Sequence, residues 1–287
     1  VSKKEFSYFR DFGFMLGYHD LIGYSDSASP ITQESFDVCL KNTADMFKKH
    51  VNLVPKIMIE PNGDHAYITF SKGNDLIQMI TAQAGPAEWK IVKSYPFKSS
   101  FSLSKFDITV QRIFAYGNDL TSYNDNPQYA QDLIDTLTGF SNATDKDTIY
   151  WVIGAAHRSA HWETVLFNRI YDQFGAEALD NLWFPTLDEF YEYWYMANNS
   201  FVSKTITDTG IKFKLFVPKM PNFFFRDLSV LLDGISSLDG VSVSSGNNVY
   251  GHSFGLSEGK LLVNLNFDEK LLARAEKYVS IFEENYN

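Results

Sequence analysis

Residues 148–161 read TIYWVIGAAHRSAH, and the predictions for the rest of the chain start from this stretch. It begins with an apolar run, Ile149 to Ile153, which is too short to cross a membrane and has the length of a strand buried on both faces. Small residues at 154–156 then let a ligand approach the backbone. The stretch ends with two imidazoles and a guanidinium, from His157, Arg158 and His161. Because folds built from βα units carry their chemistry where strands end, we expect an active site here.

Composition excludes several classes of function. The 287 residues carry a net charge of −10 without a basic cluster, which argues against nucleic-acid binding. Cys39 is the single cysteine, so we expect neither a disulfide framework nor a cysteine zinc site. No apolar run approaches the roughly 20 residues of a transmembrane helix. The first residues lack a signal-peptide pattern, although a mature exported chain would look the same.

Hydrophobic periodicity predicts alternating strands and helices followed by a β-rich region. Before residue 198 it predicts strands at 14–18, 55–59, 76–82 and 107–116, with helices at 3–12, 33–52, 126–140, 162–174 and 186–197. After that residue it predicts short strands at 201–208, 211–218, 229–232, 240–244 and 260–267, and a last helix at 268–286. We therefore predict an α/β domain over residues 1–198 and a small antiparallel β domain over residues 199–287, which ends in a helix.

Three polar clusters follow predicted strands: His19-Asp20, Glu60–His65 and His157–His161. They contain four of the six histidines of the chain. A zinc site needs three protein ligands and an open fourth position, and His19, His65 and His161 could supply nitrogen ligands. The alternative for each histidine is an ordinary surface or structural role. The sequence contains no G-x-S-x-G elbow, phosphate-binding glycine loop or dinucleotide fingerprint, so the commonest hydrolase, nucleotidase and dehydrogenase classes are not indicated.

The order of these segments resembles the polysaccharide deacetylase family, the NodB-type carbohydrate esterases. YFRDFGFMLGYHDLIGYSD (8–26) is similar to the helix and strand that lead to the family's metal-binding histidine motif. ITQESFDVCLKNTADMFKKHVNLVPKIMIEPNGD (31–64) is similar to the helix and strand before the turn beside its active site. FGAEALDNLWFPTLDEFYEYW (174–194) resembles its closing helix, in a version associated with gut Bacteroidetes. The strand before His157 resembles the late strand whose histidine is the general acid, so the resemblance covers about residues 6–197.

This resemblance implies an incomplete (β/α) barrel that hydrolyses acetyl groups on a polysaccharide through a metal-bound water. It implies a divalent metal, zinc first, and a secreted, periplasmic or cell-surface location. The implied metal ligands are His19 and His161, the implied base is Asp20 and the implied acid is His157. The residues expected to contact the substrate are Asn62, Asp64, His65, Arg158 and Trp183.

Departures from the family pattern make its metal-binding motifs degenerate or missing. The second histidine of the H-x-x-x-H motif does not follow His19, and no Thr-Phe-Asp-Asp-Gly segment is found. A second alignment takes residues 69–73, TFSKG, as a form of that segment and uses His157 and His161 as the histidine motif. The alternative function is therefore a catalytically inactive glycan-binding or surface-assembly protein on the same fold.

Overall fold

A computed structural model of the chain describes Lys4 and residues 14–19, 21, 31–60, 65–71, 74–82, 94–96, 109–114, 127–144, 148–150, 153–155, 168–175, 182–218, 223, 227–246, 248–257 and 259–267. The chain divides into two compact units, Val1–Leu187 and Asp188–Asn287. The predicted division after residue 198 falls within the second unit, and the domain assignment stays a prediction. The predicted helix at 268–286 lies outside the described residues, as does the predicted helix at 3–12 apart from Lys4.

Helices and strands alternate along the first unit. They are α1 (Gln33–Val51), β1 (Ile57–Ile59), α2 (His65–Ser71), β2 (Met79–Ala82), β3 (Ser94–Pro96), β4 (Thr109–Phe114), α3 (Pro127–Ser141), β5 (Thr148–Tyr150), β6 (Ile153–Ala155) and α4 (Asn168–Phe174). One sheet has the order β1-β2-β4-β6, and each neighbouring pair in it is parallel. Tyr18 extends this sheet through a parallel bridge to Met58 of β1. Parallel strands joined through helices define an α/β fold, which confirms the predicted class.

Helix α1 forms as its sequence predicts. Thr32 caps its first turn by accepting a hydrogen bond from the backbone N–H of Ser35. Asn52 ends it in the left-handed conformation, with φ of 54°. The face that carries Phe36 and Leu40 is fully buried, because it packs in one core with residues of the sheet and of α2. The other buried members of that core are Tyr18, Ala44, Met58, Tyr67, Ile68, Ile77 and Ile80.

The stretch predicted as one central strand is instead two short strands in different sheets. Residues of β5 pair with β3 in an antiparallel ladder, whereas β6 runs parallel to β4. The prediction of one continuous strand was therefore wrong. An apolar run indicates that a strand is buried, but it does not encode which partner each part of the run pairs with.

Residues 69–71 of the second alignment lie in a helix rather than at the end of a strand. They form the last turn of α2, a helix that the sequence analysis did not predict. The buried Ser71 hydroxyl donates a hydrogen bond to the carbonyl oxygen of Tyr67, one turn earlier. A side chain that bonds back onto its own helix has a structural role there, and this does not favour the second alignment.

The second unit begins with α5 (Leu187–Asn199) and continues with antiparallel strands. These are β7 (Phe201–Thr207), β8 (Gly210–Phe216), β9 (Asp227–Leu232), β10 (Gly251–Ser257) and β11 (Lys260–Asn266). Strands β7 and β8 form a hairpin, and β10-β11-β9 form a separate sheet. The predicted strand at 240–244 was wrong, because residues 239–240 form a turn and 241–246 are irregular. Strand β10 was missed because two glycines and two serines occupy alternate positions and resemble a loop.

Among the described residues, no helix combines the length and the apolar character needed to span a membrane.

Candidate functional site

The carboxyl ends of the parallel strands meet at one edge of the first unit's sheet. His19 directly follows Tyr18, and Glu60 directly follows β1, so these two residues leave neighbouring strands at that edge. Strand β6, which precedes His157 in the sequence, ends at the same edge but at the other side of the strand order. Four strand-to-strand steps of about 4.8 Å would separate His19 from the end of β6 by about 19 Å in a flat sheet.

The imidazole of His19 is oriented by the backbone of β1. Its Nδ1 lies 2.9 Å from the carbonyl oxygen of Ile59, and the side chain is exposed. Because a carbonyl oxygen only accepts, Nδ1 carries the proton in this bond. In the neutral ring the lone pair is then on Nε2, which points away from that carbonyl. Histidines that bind metals use this arrangement, in which a backbone carbonyl fixes the tautomer and the ring orientation.

Two backbone hydrogen bonds position His19 against β1. The N–H of Tyr18 donates to the carbonyl of Ile57 over 2.8 Å, and the N–H of Ile59 donates to the carbonyl of Tyr18 over 2.7 Å. Gly17 allows this close approach, since a Cβ at that position would lie 2.8 Å from Cδ1 of Ile59. The sequence therefore fixes the imidazole through a glycine and a short parallel bridge.

Glu60 is an acidic residue at this edge to which the sequence analysis gave no role of its own. It is fully buried, and its N–H donates to the carbonyl of Thr81 on β2 over 3.0 Å. Burying a carboxylate costs free energy unless other groups compensate it, so a buried glutamate at a strand end is a candidate functional group. The signal was present in the sequence, because Glu60 directly follows the apolar strand IMI.

The other predicted site residues are only partly described. Trp183 is 51% exposed in the irregular segment before α5. His65 is the first residue of α2, a short helix. The remaining predicted residues lie outside the described part of the chain: Asp20, Asn62, Asp64, His157, Arg158 and His161. Their grouping into one site stays a prediction.

Of the two metal ligands that the resemblance implies, only His19 lies in the described part of the chain. Within the described ranges, no three histidine, cysteine, aspartate or glutamate side chains come together as a metal site. His19 itself fits one ligand position, because its tautomer leaves Nε2 available and its ring is exposed. The second predicted ligand, His161, belongs to the part of the chain that is not described.

Comparison with protein families gives one match over almost the whole sequence. A family model described as "Putative polysaccharide deacetylase" matches residues 5–287, which is all of the chain except its first four residues. The matched region therefore covers all of the second unit and all but the first four residues of the first unit. A comparison with curated proteins found no match.

Proposed function

Because this chain belongs to the polysaccharide deacetylase family, we propose that it is a hydrolase that removes acetyl groups from a polysaccharide at the carboxyl edge of its parallel sheet. The observation that carries this proposal is the fixed orientation of His19, whose Nδ1 donates to Ile59 and whose Nε2 is available to bind. Chemistry at the carboxyl ends of parallel strands is the rule for α/β folds.

The proposed roles are those that the resemblance to the deacetylase family implies for residues of this sequence. His19 would bind a divalent ion, zinc first, through Nε2, and His161 would be the second ligand. This pairing requires the sheet to curve into a (β/α) barrel, because a flat sheet would leave the end of β6 about 19 Å from His19. The chemistry that a bound ion would supply is a water whose pKa is lowered toward 7, which would be a nucleophile at neutral pH. Asp20 would accept the proton of that water, and His157 would donate a proton to the leaving group. Contacts with the glycan are proposed for Asn62, Asp64, His65, Arg158 and Trp183.

We further propose that the parallel sheet is part of an incomplete (β/α) barrel. The support is that α1, α2 and α3 each connect strands of this sheet that run in the same direction. We propose a variant of the Bacteroidetes type, because residues 174–194 resemble the closing helix of that version. We propose that its metal motifs are degenerate, because Leu21, Ile22 and Gly23 occupy the positions after His19-Asp20. Since the family is often extracellular, we also propose that the protein acts outside the cytoplasm.

The departure from the family's metal-binding motif also supports a second candidate, a glycan-binding protein without catalytic activity. A fold can keep its cleft and its substrate contacts after the catalytic groups are lost. The missing second histidine after His19 is the observation that favours this candidate.

A single pair of variants tests the catalytic proposal. We expect the purified chain to release acetate from an acetylated polysaccharide and to contain about one equivalent of zinc by elemental analysis. His19→Ala should abolish both properties. The matched control is His252→Ala, because His252 is also exposed and its Nε2 contacts a backbone carbonyl, that of Val243, over 3.1 Å. This control should leave acetate release and zinc content unchanged.

Three results would overturn the proposed roles. If His19→Ala retains full acetate release, His19 is not part of the site. If zinc is lost only when His157 and His161 are both replaced by alanine, the second alignment is correct despite the helix at residues 69–71. If the unsubstituted chain releases no acetate but binds the polysaccharide, the non-catalytic candidate replaces the hydrolase.

A further inference from the structure

The hairpin β7–β8 of the second unit is exposed along its whole length. Every residue of β7 is exposed, and five of the seven residues of β8 are exposed as well. Among the described strands, none pairs with the outer edge of either one. Because an isolated two-stranded hairpin is at best marginally stable in water, a binding partner would account for its length and exposure.

One face of this hairpin combines aromatic rings, hydroxyls and lysines. The cross-strand register places Phe201 opposite Phe216 and Ser203 opposite Lys214. Since side chains alternate between the two faces of a strand, all members of this set lie on the same side. We call it the basic face, and it consists of Phe201, Ser203, Thr205, Thr207, Lys212, Lys214 and Phe216. The opposite face carries aliphatic pairs such as Ile206–Ile211.

The aromatic end of the basic face is ordered by direct contacts. The rings of Phe201 and Phe216 stack with their centroids 4.3 Å apart and their planes 11° apart. The Nζ of Lys214 lies 4.8 Å from the centroid of Phe216, which is a cation–π contact. Phe201 remains 61% exposed, so it presents an apolar ring beside a fixed positive charge. A pyranose ring can stack on such an aromatic face.

The charge of the hairpin is opposite to that of the whole chain. Residues 201–216 contain Lys204, Lys212 and Lys214 but only one acidic residue, Asp208, so their net charge is +2 (three positive, one negative). The chain as a whole carries −10. A local positive surface on an acidic protein attracts anionic ligands while the rest of the molecule repels them.

Pairing of these edge strands with a second copy of the chain is unfavourable. Full-length antiparallel pairing of β7 with β7 of another copy is centred on Lys204 and sets the two Lys204 side chains opposite each other. The equivalent pairing of β8 is centred on Phe213 and sets Lys212 opposite Lys214 of the other copy. Like charges in directly opposed positions destabilise a sheet, and lysines on edge strands oppose such association.

Insertion into a lipid surface is disfavoured for a different reason. The outer edges of the hairpin carry backbone N–H and C=O groups that the described strands leave unpaired. Such groups are costly to bury in hydrocarbon. A polysaccharide can instead form hydrogen bonds with them through its hydroxyl groups, and acidic sugars offer carboxylates to lysines.

We propose that the basic face of the β7–β8 hairpin binds an anionic polysaccharide. Sugar rings stack on Phe201, anionic groups pair with Lys212 and Lys214, and the hydroxyls of Ser203 and Thr205 contact the glycan between them. This binding site uses none of the residues of the catalytic proposal, because all of its residues belong to the β7–β8 hairpin.

Binding of the full chain to two soluble polymers tests this proposal. Polygalacturonic acid is the anionic probe, and dextran is the neutral one. We expect binding to polygalacturonic acid that weakens with added salt, and much weaker binding to dextran. Lys212→Gln combined with Lys214→Gln should raise the Kd for polygalacturonic acid roughly tenfold. The matched control removes two exposed lysines elsewhere, Lys48→Gln with Lys49→Gln, and should leave the Kd unchanged.

Phe201→Ala provides a second, uncharged variant, and it should also weaken binding to polygalacturonic acid while circular dichroism shows a folded chain. The proposal is overturned if the two probes bind equally, or if the Lys212/Lys214 and Phe201 variants bind like the unsubstituted chain. Failure to bind polygalacturonic acid combined with binding to vesicles of phosphatidylglycerol and phosphatidylcholine would assign the hairpin to a lipid surface. Concentration-dependent dimerisation that the Phe201→Ala change abolishes would assign it to a second copy.

Discussion

The parallel sheet of the first unit and the β7–β8 hairpin of the second use strands in opposite ways. Strands β1 and β2 consist of apolar runs, and Ile57, Met58, Met79 and Ile80 are fully buried. In the hairpin, β8 alternates apolar and polar residues, and nearly all residues of both strands are exposed. Functional groups therefore occur in different places. A strand buried on both faces offers only its end to a ligand, whereas an exposed strand can bind along its face.

The largest expected difference between the two regions concerns the loss of an aromatic side chain. Phe36 is fully buried, and its ring lies 5.7 Å from that of Tyr67 and 5.8 Å from that of Phe70. Phe36→Ala should lower the free energy of unfolding by about 3–5 kcal/mol, because it removes buried area and leaves a cavity. Phe201→Ala on the exposed hairpin should cost less than about 1 kcal/mol. Urea unfolding of both variants measures this difference.

Equal losses of stability in these two variants would contradict the comparison. Such a result would mean that the hairpin contributes to the stability of its unit as much as the α1 core contributes to the first. A change in the m-value of either variant would show instead that the substitution altered the unfolded state.

A smaller difference in the free energy of unfolding is expected when each of two glycines is replaced by valine. A side chain at Gly17 would meet Ile59 at 2.8 Å and the carbonyl of Ile57 at 3.3 Å, whereas one at Gly255 on β10 would meet nothing within 4 Å. Gly17→Val should therefore lower the free energy of unfolding by about 1–3 kcal/mol. Gly255→Val should change it by less than about 0.5 kcal/mol, since a β-branched residue suits an open strand position.

Acetate release would sharpen this second test. Moving the Gly17 segment away from β1 also moves His19, so Gly17→Val should lower kcat by more than its effect on stability explains. Gly255→Val should leave kcat unchanged. If Gly17→Val keeps full activity at a temperature where the protein is folded, the bridge between Tyr18 and Met58 does not position His19 for its proposed role.

The sequence predicted those elements whose signal is local. A helix was predicted at residues 33–52 and α1 spans Gln33–Val51, because capping and threefold to fourfold spacing depend on nearby residues. The hairpin strands were also predicted, since alternation and the TDTG turn mark them directly. The class of the fold followed from the order of these elements.

Features that depend on distant partners were not predictable in the same way. The run at 148–155 divides into β5 and β6 because each part pairs with a different strand. Strand β10 exists because its backbone pairs with β11, and its glycines and serines give no local sign of this. The position of Glu60 after the strand IMI was visible in the sequence, but its burial was not, because burial of a carboxylate depends on the packing around it.

The smallest expected effect is the loss of stability that one buried tyrosine of the second unit causes as the pH rises above 9. Burial, together with the neighbouring Tyr195 and Glu192, raises the pKa of Tyr191 to about 12. An unfolded tyrosine loses its proton near pH 10. Between about pH 10 and 12 the folded state therefore binds more protons than the unfolded state, and the free energy of unfolding falls as pH rises, by about 1.4 kcal/mol per pH unit.

Tyr191→Phe removes this titration while it keeps the ring contact with Phe223, whose centroid lies 6.2 Å away. Urea unfolding at pH 9, 10 and 11 should show a shallower loss of stability in the variant, and the two proteins should differ least at pH 9. Burial also raises the pKa of Tyr18 in the first unit, so Tyr18→Phe should flatten the same alkaline range. If Tyr191→Phe leaves the dependence of the free energy of unfolding on pH unchanged while Tyr18→Phe changes it, the face of α5 that carries Tyr191 is exposed in solution. The second unit would then be open at its helix as well as at its hairpin.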